Sequence, residues 1–173
     1  SASVLISDLT GLLKTFFNML GPLVNPSSPQ NLLLGTFNLE IARLYHYILQ
    51  DEKSNYGIIH ALDGYDEISL TSEFKLFTKS GEELIHPEDI GQKRILQTDI
   101  YGGDSVTTAA KIFKNIIEGK GTKAQNNVVL TNAAFALKII DVNKTFDEAF
   151  SLAKDSLFGG KASQCLQQLI TNC

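Results

Sequence analysis

Ile58-Ile59-His60-Ala61-Leu62-Asp63-Gly64-Tyr65-Asp66-Glu67-Ile68-Ser69 is the stretch whose reading decides the fold. A short apolar run begins after Gly57 and ends at an Asp-Gly pair, a length and boundary that suit a buried strand better than a helix. The turn that follows carries Asp63, Asp66 and Glu67. Open α/β sheets place ligands in the loops at the carboxyl ends of their strands. Hard carboxylate oxygens there suit Mg²⁺, which is usually held by one or two carboxylates with substrate phosphates completing its shell. Asp and Gly are also ordinary turn formers, so turn chemistry alone accounts for the Asp-Gly step.

The chain has 173 residues, 43% hydrophobic and 20% charged, with a formal net charge of −4. That length carries one domain with its own core. The composition is that of an ordinary globular chain. The acidic balance and the lack of a basic run with interleaved aromatics argue against a nucleic-acid surface. A phosphorylated substrate stays compatible with it, because a bound divalent cation supplies positive charge locally. Cys165 and Cys173 show neither zinc spacing nor a disulfide framework. No apolar run approaches the roughly 18–20 residues of a membrane span. Asp8 interrupts the apolar N-terminal stretch, which lacks the basic start of a signal peptide. The cytoplasm is the expected compartment.

In chain order, Leu9, Leu12, Leu13, Phe16, Phe17 and Leu20 fall on one helix face, stopped by Gly21 and Pro22. Residues 31–37 read as a strand, and Asn38 as the cap of a helix striped by Leu39, Ala42, Tyr45, Ile48 and Leu49. With the strand at 58–62 this makes a βαβ unit, so the two strands should be parallel. His46 falls off the helix stripe and reads as a surface residue. Residues 68–71 and 74–78 are strand candidates, Lys79-Ser80-Gly81 a hairpin turn, and 83–86 a further strand. Pro87 to Gly91 reads as one helical turn with Pro at its first position.

Asp104 is expected to cap a helix striped by Val106, Ala109, Ala110, Phe113, Ile116 and Ile117, ended by Gly119 and Gly121. The preceding Gly102-Gly103 pair admits two readings, phosphate binding at a helix start or simple capping, and capping is favoured. Residues 128–140 are nearly all apolar and read as a buried helix. Thr145 and Glu148 form a capping box for the next helix, and Gly159-Gly160 separates it from a last one.

Two stretches resemble the anthranilate phosphoribosyltransferase family. His60 to Ser69 is similar to its His-Gly-x-Asp-Gly-x-Asp-Glu-x-Ser loop, with Ala61 in place of a glycine. Lys14 to Pro26 is similar to its Arg/Lys-Thr-x-Phe-Asn-x-Leu-Gly-Pro-Leu-x-Asn-Pro signature. Pro87-Glu88-Asp89, Gly102-Gly103-Asp104 and Asn132-Ala133-Ala134 add shorter matches. A pyrimidine nucleoside phosphorylase shares the broader fold but lacks these two runs together.

The resemblance implies an α/β fold: a mixed, largely parallel sheet flanked by helices, of the nucleoside phosphorylase and phosphoribosyltransferase catalytic-domain type, incomplete relative to the family. Residues 1–173 would form a single domain, the C-terminal part of that catalytic domain, without the family's N-terminal helical domain. It implies Mg²⁺ held by Asp66 and Glu67, and a pocket wall for the aromatic amine at Gly21 and Pro22. The implied reaction moves phosphoribose from phosphoribosyl diphosphate (PRPP) to anthranilate, in tryptophan biosynthesis. The family's Gly-Thr-Gly-Gly-Asp loop, which holds the diphosphate, has no match in these residues, nor do its Asn-x-x-Ser and Lys-His-Gly-Asn-Arg segments. The family arginine that binds the substrate carboxylate has no counterpart near Asp8 or Leu9. The chain is therefore expected to be a fragment, inactive or very weak alone, and to form a homo-oligomer through residues 9–20. The alternative is a non-catalytic binding or assembly module that keeps the scaffold.

Overall fold

The computed structural model describes residue 21, residues 23–24 and residues 26–172. The expected helix over residues 9–20, and Pro22, lie outside the described residues. Strand β1 (Asn31–Gly35) leads into helix α1 (Leu39–Leu49), and β2 (Asn55–Ala61) follows. Asn38 caps α1 as expected, its side chain accepting from the Ile41 amide at 2.8 Å. β1 and β2 are parallel, with Gly35 opposite Ile59. This is the βαβ unit expected from the order of elements.

β3 (Phe74–Thr78) and β4 (Gly81–Ile85) complete a sheet of order β1-β2-β3-β4. Both of the pairings that involve β3 are antiparallel. The sheet is mixed, as expected, but among the described strands only one pairing is parallel. Between β3 and β4 the reason is local: they are joined by a tight turn with Gly81 at φ 125, and such a turn reverses direction, whereas a parallel pairing needs a long crossover.

Alternation along the strands divides the core between two faces. Tyr56, Ile58 and Phe77 point to α1, where they meet Ile41, Ala42, Tyr45 and Leu49. Ile59, Ala61, Phe74 and Leu76 point the other way, toward Val128 and Phe135. Those two residues belong to α3 (Lys123–Ile140), the long apolar helix expected from the sequence. β2 is therefore covered on both faces, which is why its sequence runs apolar without alternation. Ile58, Ile59, Phe74 and Phe77 are at most 2% exposed, and burying each such side chain contributes roughly 1.5–3 kcal/mol.

Beyond α3, helix α4 (Phe146–Phe158) opens on the Thr145–Glu148 capping box, and α5 (Lys161–Asn172) closes the described chain. Helix α2 (Val106–Ile117) differs from expectation in two ways. Ser105, not Asp104, is its cap: the Ser105 side chain accepts from the Thr108 amide at 3.2 Å. Its apolar stripe is not core, since none of its residues is buried and Val106 is 87% exposed. The expected strand at 68–71 is also absent. Leu70 sits in the left-handed region at φ 61, which no strand tolerates.

Candidate functional site

Parallel pairing brings the carboxyl ends of β1 and β2 side by side. The loop 62–67 leaves β2 at that edge and folds back on itself. The Ala61 amide donates to the Tyr65 carbonyl and the Gly64 amide to the Ala61 carbonyl, each at 3.0 Å. Gly64 takes φ 96 at the tip, which favours glycine. The Leu62 amide donates to the Glu73 carbonyl at 2.9 Å, tying the start of the loop to the residue before β3.

The loop then passes over β1. A Cβ on Gly35 would stand 1.7 Å from the Asp66 carbonyl oxygen. Only a residue without a side chain lets the main chain of Asp66 lie there. Below this contact the Thr36 amide donates to the Ile59 carbonyl at 2.9 Å, and the buried His60 ring donates from Nδ1 to the Thr36 carbonyl at 2.9 Å. The floor of the loop is thus hydrogen-bonded across both strands.

The three acidic residues of the loop separate by role. Asp63 turns toward Ser69 and Thr71: its Oδ1 accepts from Ser69 Oγ at 3.4 Å, and its Oδ2 faces Thr71 Oγ1. The two hydroxyls lie 2.8 Å apart, so the single Thr71 hydroxyl proton is shared between Asp63 and Ser69 Oγ. Asp63 is a turn clamp. Asp66 and Glu67 are exposed, and no ion pair reaches either among the described residues. Partial loss of water around the Glu67 carboxyl, and next the charge of Asp66, raise the Glu67 pKa above its ordinary value. Two neighbouring carboxylates without a cationic side chain make a donor set that fits a hard divalent cation.

The same edge is open rather than a closed cage. Among the described residues there is no group of three or more His, Cys, Asp or Glu side chains placed to hold a metal. A groove of about 220 Å³ lies at the opposite strand ends, lined in part by Asn55, Thr78, Lys79, Glu83 and Lys138. It is remote from Asp66 and Glu67, which sit beyond the other end of β2. Gly21, expected to line an aromatic pocket with Pro22, is an exposed turn residue. Two positions on, Leu23 packs against the cluster beneath α1, beside Leu32, Leu34 and Leu39.

Two residues that shape the loop have no such role assigned from sequence: Gly35 reads only as strand, and Asn132 only as part of a short family match. Gly35 carried a usable signal, since an isolated glycine in a strand often marks close approach of another backbone. Asn132 lies in an apolar helix and bonds the main chain of Ile68 with its amide. A polar side chain on a buried helix needs such a partner, but its sequence position does not say where the partner is.

Comparison with known proteins agrees with this architecture. The family model described as glycosyl transferase family, a/b domain, matches residues 8–163. The chain is 54% identical over 156 residues to an anthranilate phosphoribosyltransferase of Flavobacterium johnsoniae, covering 90% of this chain and 47% of the relative. It is 50% identical over 157 residues to one of Bacteroides thetaiotaomicron, covering 91% of this chain and 47% of the relative. The solved anthranilate phosphoribosyltransferase of Thermus thermophilus superimposes with a TM-score of 0.79 at 25% identity, over 90% of this chain and 46% of that one. The Saccharomyces cerevisiae enzyme, solved in complex with PRPP and Mg, shares the fold with a TM-score of 0.74 at 22% identity, over 87% and 44%. The chain spans about half the length of the curated relatives it matches. By its matched span and its sheet, the chain belongs to the glycosyl transferase family, a/b domain.

Proposed function

We propose that the chain is part of an anthranilate phosphoribosyltransferase, the part that brings the metal-binding carboxylates to a PRPP site. The observation that carries this reading is the exposed Asp66–Glu67 pair, free of ion pairs among the described residues, at adjoining parallel strand ends. Residues 1–173 act in it as a single α/β unit, corresponding to the C-terminal part of the catalytic domain. Its substrates are PRPP and anthranilate, its cation Mg²⁺ and its compartment the cytoplasm.

Asp66 and Glu67 would hold the cation. Bound there, Mg²⁺ neutralises the charge of a departing diphosphate. The chain's own part is positional. The Asp63–Ser69–Thr71 clamp and the Gly35 contact set the loop before and after the carboxylates, and pre-set geometry lowers the barrier of a group transfer. Gly21 and Pro22 would form the wall against the aromatic amine. These 173 residues hold no match to the family's Gly-Thr-Gly-Gly-Asp loop, so they are proposed to bind PRPP weakly and to turn it over little, if at all, by themselves.

Calorimetry tests the reading. PRPP titrated into the chain should release heat with Mg²⁺ present and far less without it, and Asp66→Asn should remove the metal-dependent part. Identical isotherms with and without metal at millimolar PRPP would leave a non-catalytic module instead.

A further inference from the structure

Asn132 of α3 grips the residue that directly follows the carboxylate pair. Its Oδ1 accepts from the Ile68 amide at 3.0 Å, and its Nδ2 donates to the Ile68 carbonyl at 2.8 Å. One side-chain amide thereby takes both main-chain groups of Ile68, as a neighbouring strand would. Nδ2 also donates to the Val128 carbonyl, one turn back on the same helix, at 2.9 Å. That third bond fixes the amide on its own helix, so α3 and the loop are joined through a side chain held at both ends.

The surroundings leave this segment little freedom. The Ile68 side chain is fully buried in the cluster that contains Val128 and Phe135. Leu70, also fully buried, holds a left-handed conformation, and its carbonyl accepts from the Ile95 amide at 3.0 Å. On the other side of the pair, the Asp66 carbonyl is pressed onto Gly35. Asp66 and Glu67 therefore span a short bridge between the end of β1 and α3.

We infer that Asn132 is a positioning residue for the cation site, fixing the main chain at Ile68 so that Asp66 and Glu67 present their carboxylates together. The inference rests on the reading of those two residues as cation ligands. A side chain that merely satisfied the Ile68 backbone would affect stability and leave cation affinity alone. A partner that orients ligands from behind typically changes metal affinity about 10–100-fold when removed.

Mn²⁺ is the probe, titrated into the whole chain and followed by the electron paramagnetic resonance of the free ion. Asn132→Ala should weaken Mn²⁺ binding roughly tenfold or more while the chain still melts cooperatively. Leu157→Ala, in the cluster between α3 and α4, is the control: it should lower the melting temperature and leave Mn²⁺ affinity unchanged. If Asn132→Ala does not fold, Asn132→Gln serves, since it keeps the amide and displaces it by one methylene; it too should weaken Mn²⁺. Unchanged Mn²⁺ affinity in a folded Asn132 variant, or failure of both variants to fold, overturns the positioning role. Absence of Mn²⁺ binding in the wild type overturns the cation site itself and the inference with it.

Discussion

The Asp66 carbonyl oxygen occupies the space a side chain on Gly35 would need, 1.7 Å from the ideal Cβ position. The obstruction is main chain, so it cannot rotate away. Gly35→Ala must push the loop off the end of β1, and overpacking of this kind costs typically about 1–3 kcal/mol. Gly57→Ala is the comparison. There the added Cβ would meet Ile139 Cδ1 at 2.3 Å, the tip of a rotatable side chain. Urea unfolding should show Gly35→Ala as the more costly of the two, and Mn²⁺ affinity should fall only for Gly35→Ala. Equal costs would show that the loop yields as easily as an isoleucine tip.

Glu73 anchors the start of the loop through its carbonyl, and its side chain's contribution should depend on pH. Arg94 Nη2 donates to Glu73 Oε1 at 2.7 Å, and His86 Nδ1 stands 3.4 Å from the same oxygen. The hydrogen bond from Arg94, and next a hydrogen bond from its own backbone, lower the Glu73 pKa from 4.5 to about 2. The folded pKa lies below the unfolded one, so the pair stabilises the fold above pH 4.5 and loses that effect as the pH falls toward 2. Urea unfolding of wild type and Glu73→Gln should differ at pH 7 and converge as acid is added. The difference should also shrink in high salt, because the pair is exposed. A pH-independent difference would mean that Glu73 acts by packing alone.

Much of this architecture was legible in the sequence, and most of what was not depends on partners far along the chain. The apolar run at 58–61, the Asn38 cap, the Gly81 turn and the Thr145–Glu148 box are all local, and each appears where residue chemistry put it. Residues 68–71 look like a strand because Ile68 and Leu70 are buried and the run is short. The partner of Ile68 is the side chain of Asn132, 64 positions away, and no local pattern announces that. The balance of parallel and antiparallel pairing likewise depends on strand order, which is not a local property. Asp66 and Glu67 stand in the loop that suggested them, and their role as ligands remains the proposal. The Gly35 contact that seats them joins residues 31 positions apart and becomes visible only in the fold.

The cap of α2 offers a direct comparison of neighbours. Ser105 accepts from the Thr108 amide at 3.2 Å and bonds the Thr108 hydroxyl at 2.9 Å. Loss of such a cap costs about 0.5–2 kcal/mol of helix stability. Ser105→Ala should therefore speed amide exchange over residues 106–109, and Asp104→Ala should leave it nearly unchanged. The reverse order would restore Asp104 as the cap.

Glu67 should trade stability against cation binding. The pKa of its carboxyl is raised above the ordinary 4.5 by partial desolvation and by the charge of Asp66. The folded chain therefore holds the Glu67 proton more tightly than the unfolded chain does. Stability falls as the pH rises from 4.5 through the raised value, because proton release is then favoured by unfolding. Above that window the ionised carboxylate works against the fold. Glu67→Gln keeps the shape of the protonated acid and removes the charge. It should melt above the wild type at pH 7, and the gap should close below pH 4.5. The same variant should lose Mn²⁺ binding, since a neutral amide is a poor ligand beside a single remaining carboxylate. A bound cation reverses the order: at Mn²⁺ well above the dissociation constant the wild type gains stability that Glu67→Gln does not, because the ion binds only the folded site. Thermal unfolding with and without Mn²⁺ reads both effects in one experiment. A Glu67→Gln variant less stable than wild type at pH 7 without cation would show that the carboxylate is held by favourable contacts, and the pair would then be structural.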